Sequence, residues 1–200
     1  MTKGRIEAFS DAVIAIILTI MVLELKVPHD STLEALKPLF PTLLSYVLSF
    51  LYLGIYWNNH HHLFQAVKTI RGGVLWANLH LLFWLSLVPF VTSWMGENHF
   101  APTPTAMYGV VLLGAAIGYS IMVHVLLKHH DSNSILARAI GQDAKGHLSL
   151  FLYCVSIFSA FFAPVVAGAI YLVVALIWLV PDRRIERIME ASVETGRKVD

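Results

Sequence analysis

Charged side chains are scarce in this sequence. Asp, Glu, Lys and Arg make up 14% of its 200 residues, against about 25% in ordinary soluble domains. A chain with so little charge cannot cover a water-facing surface, which excludes a free globular domain. The formal net charge of +1 says little by itself, and the placement of the charges says more; no nucleic-acid partner is expected. The single cysteine, Cys154, excludes an intrachain disulfide framework or a cysteine metal site, and reads as a small apolar filler. The sequence also lacks a nucleophile elbow, a phosphate-binding glycine loop and a zincin helix. No enzymatic activity and no cofactor are expected.

What it has instead is apolar length. Hydrophobic residues reach 57%, and a membrane-spanning helix needs about 20 of them in sequence. Runs of that size are predicted from Gly4 to Val27, Leu39 to Leu63, Gly73 to Met95 and Thr105 to Leu127. The first is too long for a signal peptide's apolar core and has no small-residue cleavage site, so it reads as a retained span. A polar connector, "KHHDSNSILARAIGQDAKGH", has room for a short surface helix. The last apolar run, Leu148 to Val180, suits two short helices broken at Pro164.

Charge placement supports six spans. With both termini on one side, that side collects Lys3, Arg5, Lys68, Arg71, Lys128, Arg138, Lys145, Arg183, Arg184, Arg187, Arg197 and Lys198, and the other only Lys26 and Lys37. Lys and Arg favour cytoplasmic loops, so both ends are predicted to be cytoplasmic. The expected architecture is all-α and polytopic, with a six-helix transmembrane domain over residues 1–182 and a short basic cytoplasmic tail over 183–200.

This topology puts three polar clusters in one layer: Ser10 and Asp11 near the start of the first span, "YWNNHHH" ending the second, and "WANLH" opening the third. A carboxylate just inside a membrane helix needs a partner, because an unpaired desolvated charge is costly. Trp57, Asn58, Asn59, His60, Trp76, Asn78 and His80 share its depth and supply donors. A network holding Asp11 is predicted; the plainer alternative makes Trp57 and Trp76 interfacial anchors. Glu24, near the opposite end, is expected to pair with Lys26, the alternative being that it concentrates cations at that end. Three consecutive histidines point about 100° apart on a helix and cannot close on one ion, so no metal site is expected. His29, His99 and His124 are scattered and read as structural. Gly114 and Gly118 have the spacing of a close helix contact.

Beyond Asp11 the first span becomes almost wholly apolar. Ile16, Ile20 and Leu23 fall on one helical stripe, with Thr19 beside it. From the residues alone, that stripe faces lipid or another helix.

A resemblance adds to this reading. Arg5 followed by "FSD" at Phe9, Ser10 and Asp11 resembles the motif that opens the first span in the endolysosomal potassium channel family, transmembrane protein 175, and its prokaryotic relatives. The likeness extends to the span count and to the Trp, Asn and His residues at the cytoplasmic ends of the second and third spans. It implies a potassium-preferring cation channel in a prokaryotic cell membrane. It also implies a homotetramer whose first helices line a central pore, with potassium or other monovalent cations as permeant species. On this resemblance the first constriction falls on Ile16, further apolar rings on Ile20 and Leu23, and a threonine layer on Thr19. Ala15 stands where animal members carry serine, which departs from their pattern next to the constriction. A hydrophobic constriction of this kind can gate by dewetting. Two rivals are a coupled secondary transporter using Asp11 and the histidines as a relay, and a membrane enzyme with a histidine-rich metal site. The sequence shows neither an acidic residue at mid-membrane depth nor well-spaced ligands on several helices.

Overall fold

A computed structural model of the chain describes residues 2–67, 70, 72–128 and 143–179. The basic tail, most of the polar connector, and Lys68 and Arg71 lie outside the described residues. The described elements are all helical: α1 (Lys3–Leu23), a 3-10 turn (Leu33–Leu39), α2 (Phe40–Gln65), α3 (Gly72–Ser86), α4 (Val88–Glu97), α5 (Pro102–Leu127), α6 (Ala144–Ala160) and α7 (Pro164–Leu179). Prolines mark four starts: Pro41 opens α2, Pro89 opens α4, and Pro102 and Pro164 are the first residues of α5 and α7. In a helix's first turn the missing N–H would have no intrahelical partner anyway.

Four helical segments are long and apolar enough to cross a bilayer: Lys3–Leu23, Leu33–Gln65, Gly72–Glu97 and Pro102–Leu127. The protein is an integral membrane protein of helical type. The third segment is not the single straight helix that the sequence suggested. It breaks at Leu87 because Pro89 cannot donate to the Leu85 carbonyl, and α3 hands over to α4 within the same span. The last apolar run divides at Pro164 into helices of 17 and 16 residues, each about 25 Å long. The first helix ends at Leu23, four residues before the expected Val27.

Small residues set the close contacts. A Cβ at Gly114 of α5 would overlap the ring of Trp84 on α3, and one at Gly118 would press on the Leu81 backbone. Gly96 of α4 sits against Thr42 and Ser45 of α2 in the same way. Without a large hydrophobic difference between helix and lipid, such backbone approach supplies much of the packing energy. Gly114→Ala is therefore expected to destabilise the detergent-solubilised protein by about 1–3 kcal/mol, the usual cost of overpacking, read as a lower melting temperature.

α1 packs on α2, α3 and α4, while α5, α6 and α7 form the other side of the bundle, with α7 also against α2. This places α1 at the edge. Ile6, Ser10, Ile14, Ile17 and Met21 face inward, and the opposite side of the helix is left uncovered within one subunit.

Candidate functional site

The inward face of α1 carries the first element of the site. Ser10 is fully buried and meets Asn78 of α3: the Asn78 Nδ2 donates to Ser10 Oγ at 2.9 Å, and Ser10 Oγ lies 3.3 Å from Asn78 Oδ1. The same Oδ1 is 2.9 Å from His60 Nε2 on α2. His60 is itself buried and stacks on Phe64, with ring centroids 4.4 Å apart. Because Asn78 Oδ1 only accepts, the His60 Nε2 carries the proton in this arrangement. Three helices thus meet on one side-chain amide, and every buried polar atom in the trio has a partner.

One residue along α1, Asp11 points outward and is exposed. Its Oδ1 accepts from the Trp57 indole Nε1 at 3.0 Å. Trp57 stacks in turn on His61, centroids 6.1 Å apart. Ser10 and Asp11 are adjacent, so they stand about 100° apart on the helix. One ties α1 to α3 and the other ties it to α2. Two anchors at that angle oppose rotation of α1 about its own axis. At the helix start, Lys3 Nζ donates to the Gln65 carbonyl, 3.4 Å away, at the free end of α2.

The remaining predicted members behave differently. His80 does not join Asp11. Its Nε2 accepts from Trp84 Nε1 at 3.0 Å, one turn along the same helix. Trp76 is 76% exposed and Phe9 49% exposed. The side chains of Arg5 and Trp76 make no hydrogen bond or ion pair among the described residues. Asn59 turns its amide to the Ile55 carbonyl at 2.8 Å, and its own carbonyl accepts from Tyr119. No group of three or more metal-ligating side chains occurs among the described residues. The expected Glu24–Lys26 pair does not form: Lys26 Nζ reaches Glu97 on α4 at 2.8 Å, because the chain turns after Leu23 and carries Lys26 toward the end of α4.

The outward face of α1 carries the second element. Ile16, Ile20 and Leu23 are 57%, 42% and 81% exposed. Thr19 shares that face, and its Oγ1 donates back to the Ile16 carbonyl at 2.8 Å. With the hydroxyl hydrogen used internally, the Thr19 oxygen presents lone pairs outward. Ile16 and Ile20 also edge an open groove between α1 and the α3–α4 break, with Pro89, Phe90 and Trp94 on its far wall. The geometry is an apolar stripe with one oxygen-bearing position, on a helix whose rotation is fixed from behind.

Comparison with known proteins gives this geometry a family. A potassium channel of Chryseobacterium sp. (strain P1-3) is 54% identical over 192 residues, covering 96% of this chain and 100% of that protein. The chain belongs to the TMEM175 potassium channel family. The family model for the endosomal/lysosomal potassium channel TMEM175 matches residues 5–89. That segment contains Arg5, Phe9, Ser10 and Asp11, the Asn78 and Trp57 that bond to the last two, and the His60 that shares the Asn78 amide. A potassium channel of Chamaesiphon minutus is 35% identical over 150 residues, 72% of either chain. The crystal structure of a lysosomal potassium-selective channel TMEM175 homologue from the same organism superposes with a TM-score of 0.76, at 29% identity, over 90% of this chain and 97% of that one. The chicken endosomal/lysosomal proton channel TMEM175 is 30% identical over 181 residues, and the match covers only 36% of its length.

Sequence reasoning missed three parts of this site: the pairing of His80 with Trp84, the break at Leu87, and the Lys26–Glu97 bridge. Pro89 was a visible signal for the second. For the first, His80 and Trp84 stand four residues apart, the spacing of neighbours on one helix face; nothing in the sequence pointed to the Lys26–Glu97 bridge, which depends on how the loop after Leu23 turns.

Proposed function

We propose that this protein is a passive, potassium-preferring cation channel of a prokaryotic inner membrane, with both termini cytoplasmic. Four copies assemble around their α1 helices, and no cofactor is required. The observation that carries the reading is the division of α1 into two faces. One is buried and hydrogen-bonded through Ser10. The other exposes Ile16, Thr19, Ile20 and Leu23 along a single stripe. The potassium-channel names of the bacterial relatives support it.

In this reading Ile16, Ile20 and Leu23 form successive apolar rings, and Thr19 contributes a ring of oxygen atoms between the isoleucines. An ion entering a ring of isoleucine must shed water with no carbonyl cage to replace it. Conduction is then governed by how readily the constriction wets. Asp11 and Trp57, with Ser10 and Asn78, keep the stripe aimed at the axis; a turn of about 100° would present a different set of side chains. Asp11 has a structural role here and is not an ion ligand. Beyond the end of the stripe, Glu24 gives the outer mouth a negative charge that favours cations. A transporter relay through Asp11 has no continuation toward the other end of α1: Glu7 lies one turn back toward the start of the helix, and residues 12–23 carry no ionisable side chain.

The test is reconstitution of the purified protein in liposomes with a potassium gradient. Expected is a passive potassium flux that needs no co-substrate and dissipates the gradient, from particles whose mass in detergent equals four subunits. Flux that appears only with an imposed proton gradient or a second solute would establish a carrier instead, and a monomeric mass would remove the central pore.

A further inference from the structure

The C-termini of α1 and α4 lie together, at the end of the bundle away from Asp11. Helix carbonyls leave a partial negative charge at each C-terminus. Neither helix has a basic residue in its last turn, and each carries a carboxylate there instead: Glu24 caps α1 and Glu97 closes α4. Two helix ends of like sign, each with a carboxylate, repel one another. Lys26, three residues beyond α1, brings the opposite charge, with its Nζ 2.8 Å from Glu97 Oε1.

The two partners differ in how firmly they are held. Glu97 stands on a fixed post. Gly96 beside it is buried against Thr42 and Ser45 of α2, where a Cβ would collide. His99 and Phe100 follow with φ of 53° and 58°, a left-handed backbone that is uncommon without glycine. The turn they make is tied by the Phe100 N–H to the Met95 carbonyl at 3.0 Å and by the Ala101 N–H to the Asn98 carbonyl at 2.9 Å. The end of α1 has no such support. No residue between Met21 and Thr42 is buried. Among the described residues, Lys26–Glu97 is the one side-chain hydrogen bond or ion pair that links residues 22–32 to another helix.

We propose, resting on the pore reading above, that Lys26 and Glu97 are positioning residues for conduction: their bridge fastens the outer end of α1 to α4 and so sets where Leu23 stands. Asp11 and Leu23 are about 18 Å apart along the helix. The anchors at Ser10 and Asp11 therefore fix the rotation of α1 at one end and leave the other free to swing. The bridge closes that freedom. Both side chains are exposed, at 72% and 45%, and a pair of this kind adds little to folding. Its effect is on the placement of a helix end that no buried residue holds.

The experiment compares Lys26→Ala, Glu97→Ala, their double variant and the exchanged pair Lys26→Glu/Glu97→Lys. Passive potassium flux is measured in liposomes, and backbone hydrogen exchange over residues 22–27 is measured by mass spectrometry on the purified full-length protein. Each single variant is expected to raise flux and to speed exchange about threefold, the scale of an exposed ion pair, with little change in melting temperature. The double variant should do no more than either single one, because the two residues act as a unit. The exchanged pair should return both readouts toward wild type, and Lys26→Arg should leave them there. A merely local charge effect behaves differently. Losing Lys26 would then attract cations to the mouth and losing Glu97 would repel them, so flux would move in opposite directions while exchange stayed at the wild-type rate. That pattern overturns the proposal, as does an exchanged pair no better than the single variants. Faster exchange with unaltered flux, in liposomes where Leu23→Ala does raise flux, also overturns it, since the bridge would hold α1 without placing the ring. If Leu23→Ala itself leaves flux unchanged, the pore reading fails, and the exchange rates alone decide whether the bridge holds the end of α1.

Discussion

Leu23→Ala is expected to raise passive potassium flux in liposomes about tenfold. Leu23 is the most exposed member of the α1 stripe, at 81%, and in the proposed tetramer four copies close the outer ring. Truncating each to a methyl widens that ring and lets water remain in it. A barrier lowered by about 1.4 kcal/mol corresponds to the tenfold rise. Fold stability should change little, because the side chain has almost no contacts to lose within its own subunit. Ile16→Ala and Ile20→Ala should act in the same direction. By contrast, Ile17→Ala is on the buried face. It should destabilise the protein by about 2–5 kcal/mol, as core truncations do, with no selective effect on conduction. If all three stripe variants leave the flux at the wild-type level, Ile16, Ile20 and Leu23 do not line the path. The contrast between Ile16 and Ile17, neighbours in sequence, is the sharpest form of the measurement.

A large stability effect is expected at Asn78. Its amide joins Ser10 and His60, both buried, and Asn78→Ala leaves both without their partner. An orphaned buried polar group costs about 1–3 kcal/mol, so the pair should cost about 3 kcal/mol together. At about 2–4 °C per kcal/mol for a chain of this size, the melting temperature in detergent should fall by about 10 °C. His80→Ala provides the comparison. It sacrifices one hydrogen bond from a half-buried tryptophan on the same helix, and about 1 kcal/mol is expected. A variant series in which His80→Ala is the more damaging of the two would remove Asn78 as the junction of α1, α2 and α3. Asp11→Asn should be milder still, because an amide oxygen can go on accepting from Trp57 while the exposed site tolerates loss of charge. Its signature should be in conduction, through a loosened orientation of the stripe.

The two anchors illustrate how much of this site could be read in advance. Ser10, Asp11, Trp57, His60 and Asn78 share a depth in any six-span arrangement, since hydropathy and the Lys/Arg asymmetry set where each helix enters. Depth is a one-dimensional quantity and follows from counting along each helix. Which of the candidates touch is a question of azimuth. His80 has the right depth, yet two residues beyond Asn78 it stands about 200° around α3, and it serves Trp84 instead. Ser10 and Asp11 are equally polar and adjacent, yet one is fully buried and the other exposed.

The sequence alone determined the membrane class, the helical fold, the division of the last apolar run at Pro164 and the layer in which the polar residues lie. Those features depend on hydrophobic length, proline chemistry and charge, which are properties of residues in order along the chain. The tertiary structure decided which side of α1 is buried, how Asn78 is shared between Ser10 and His60, and where Lys26 finds its carboxylate. Those depend on how helices are rotated and how closely they approach. Such quantities are set by packing at glycines such as Gly96, Gly114 and Gly118, between residues that the chain order keeps far apart.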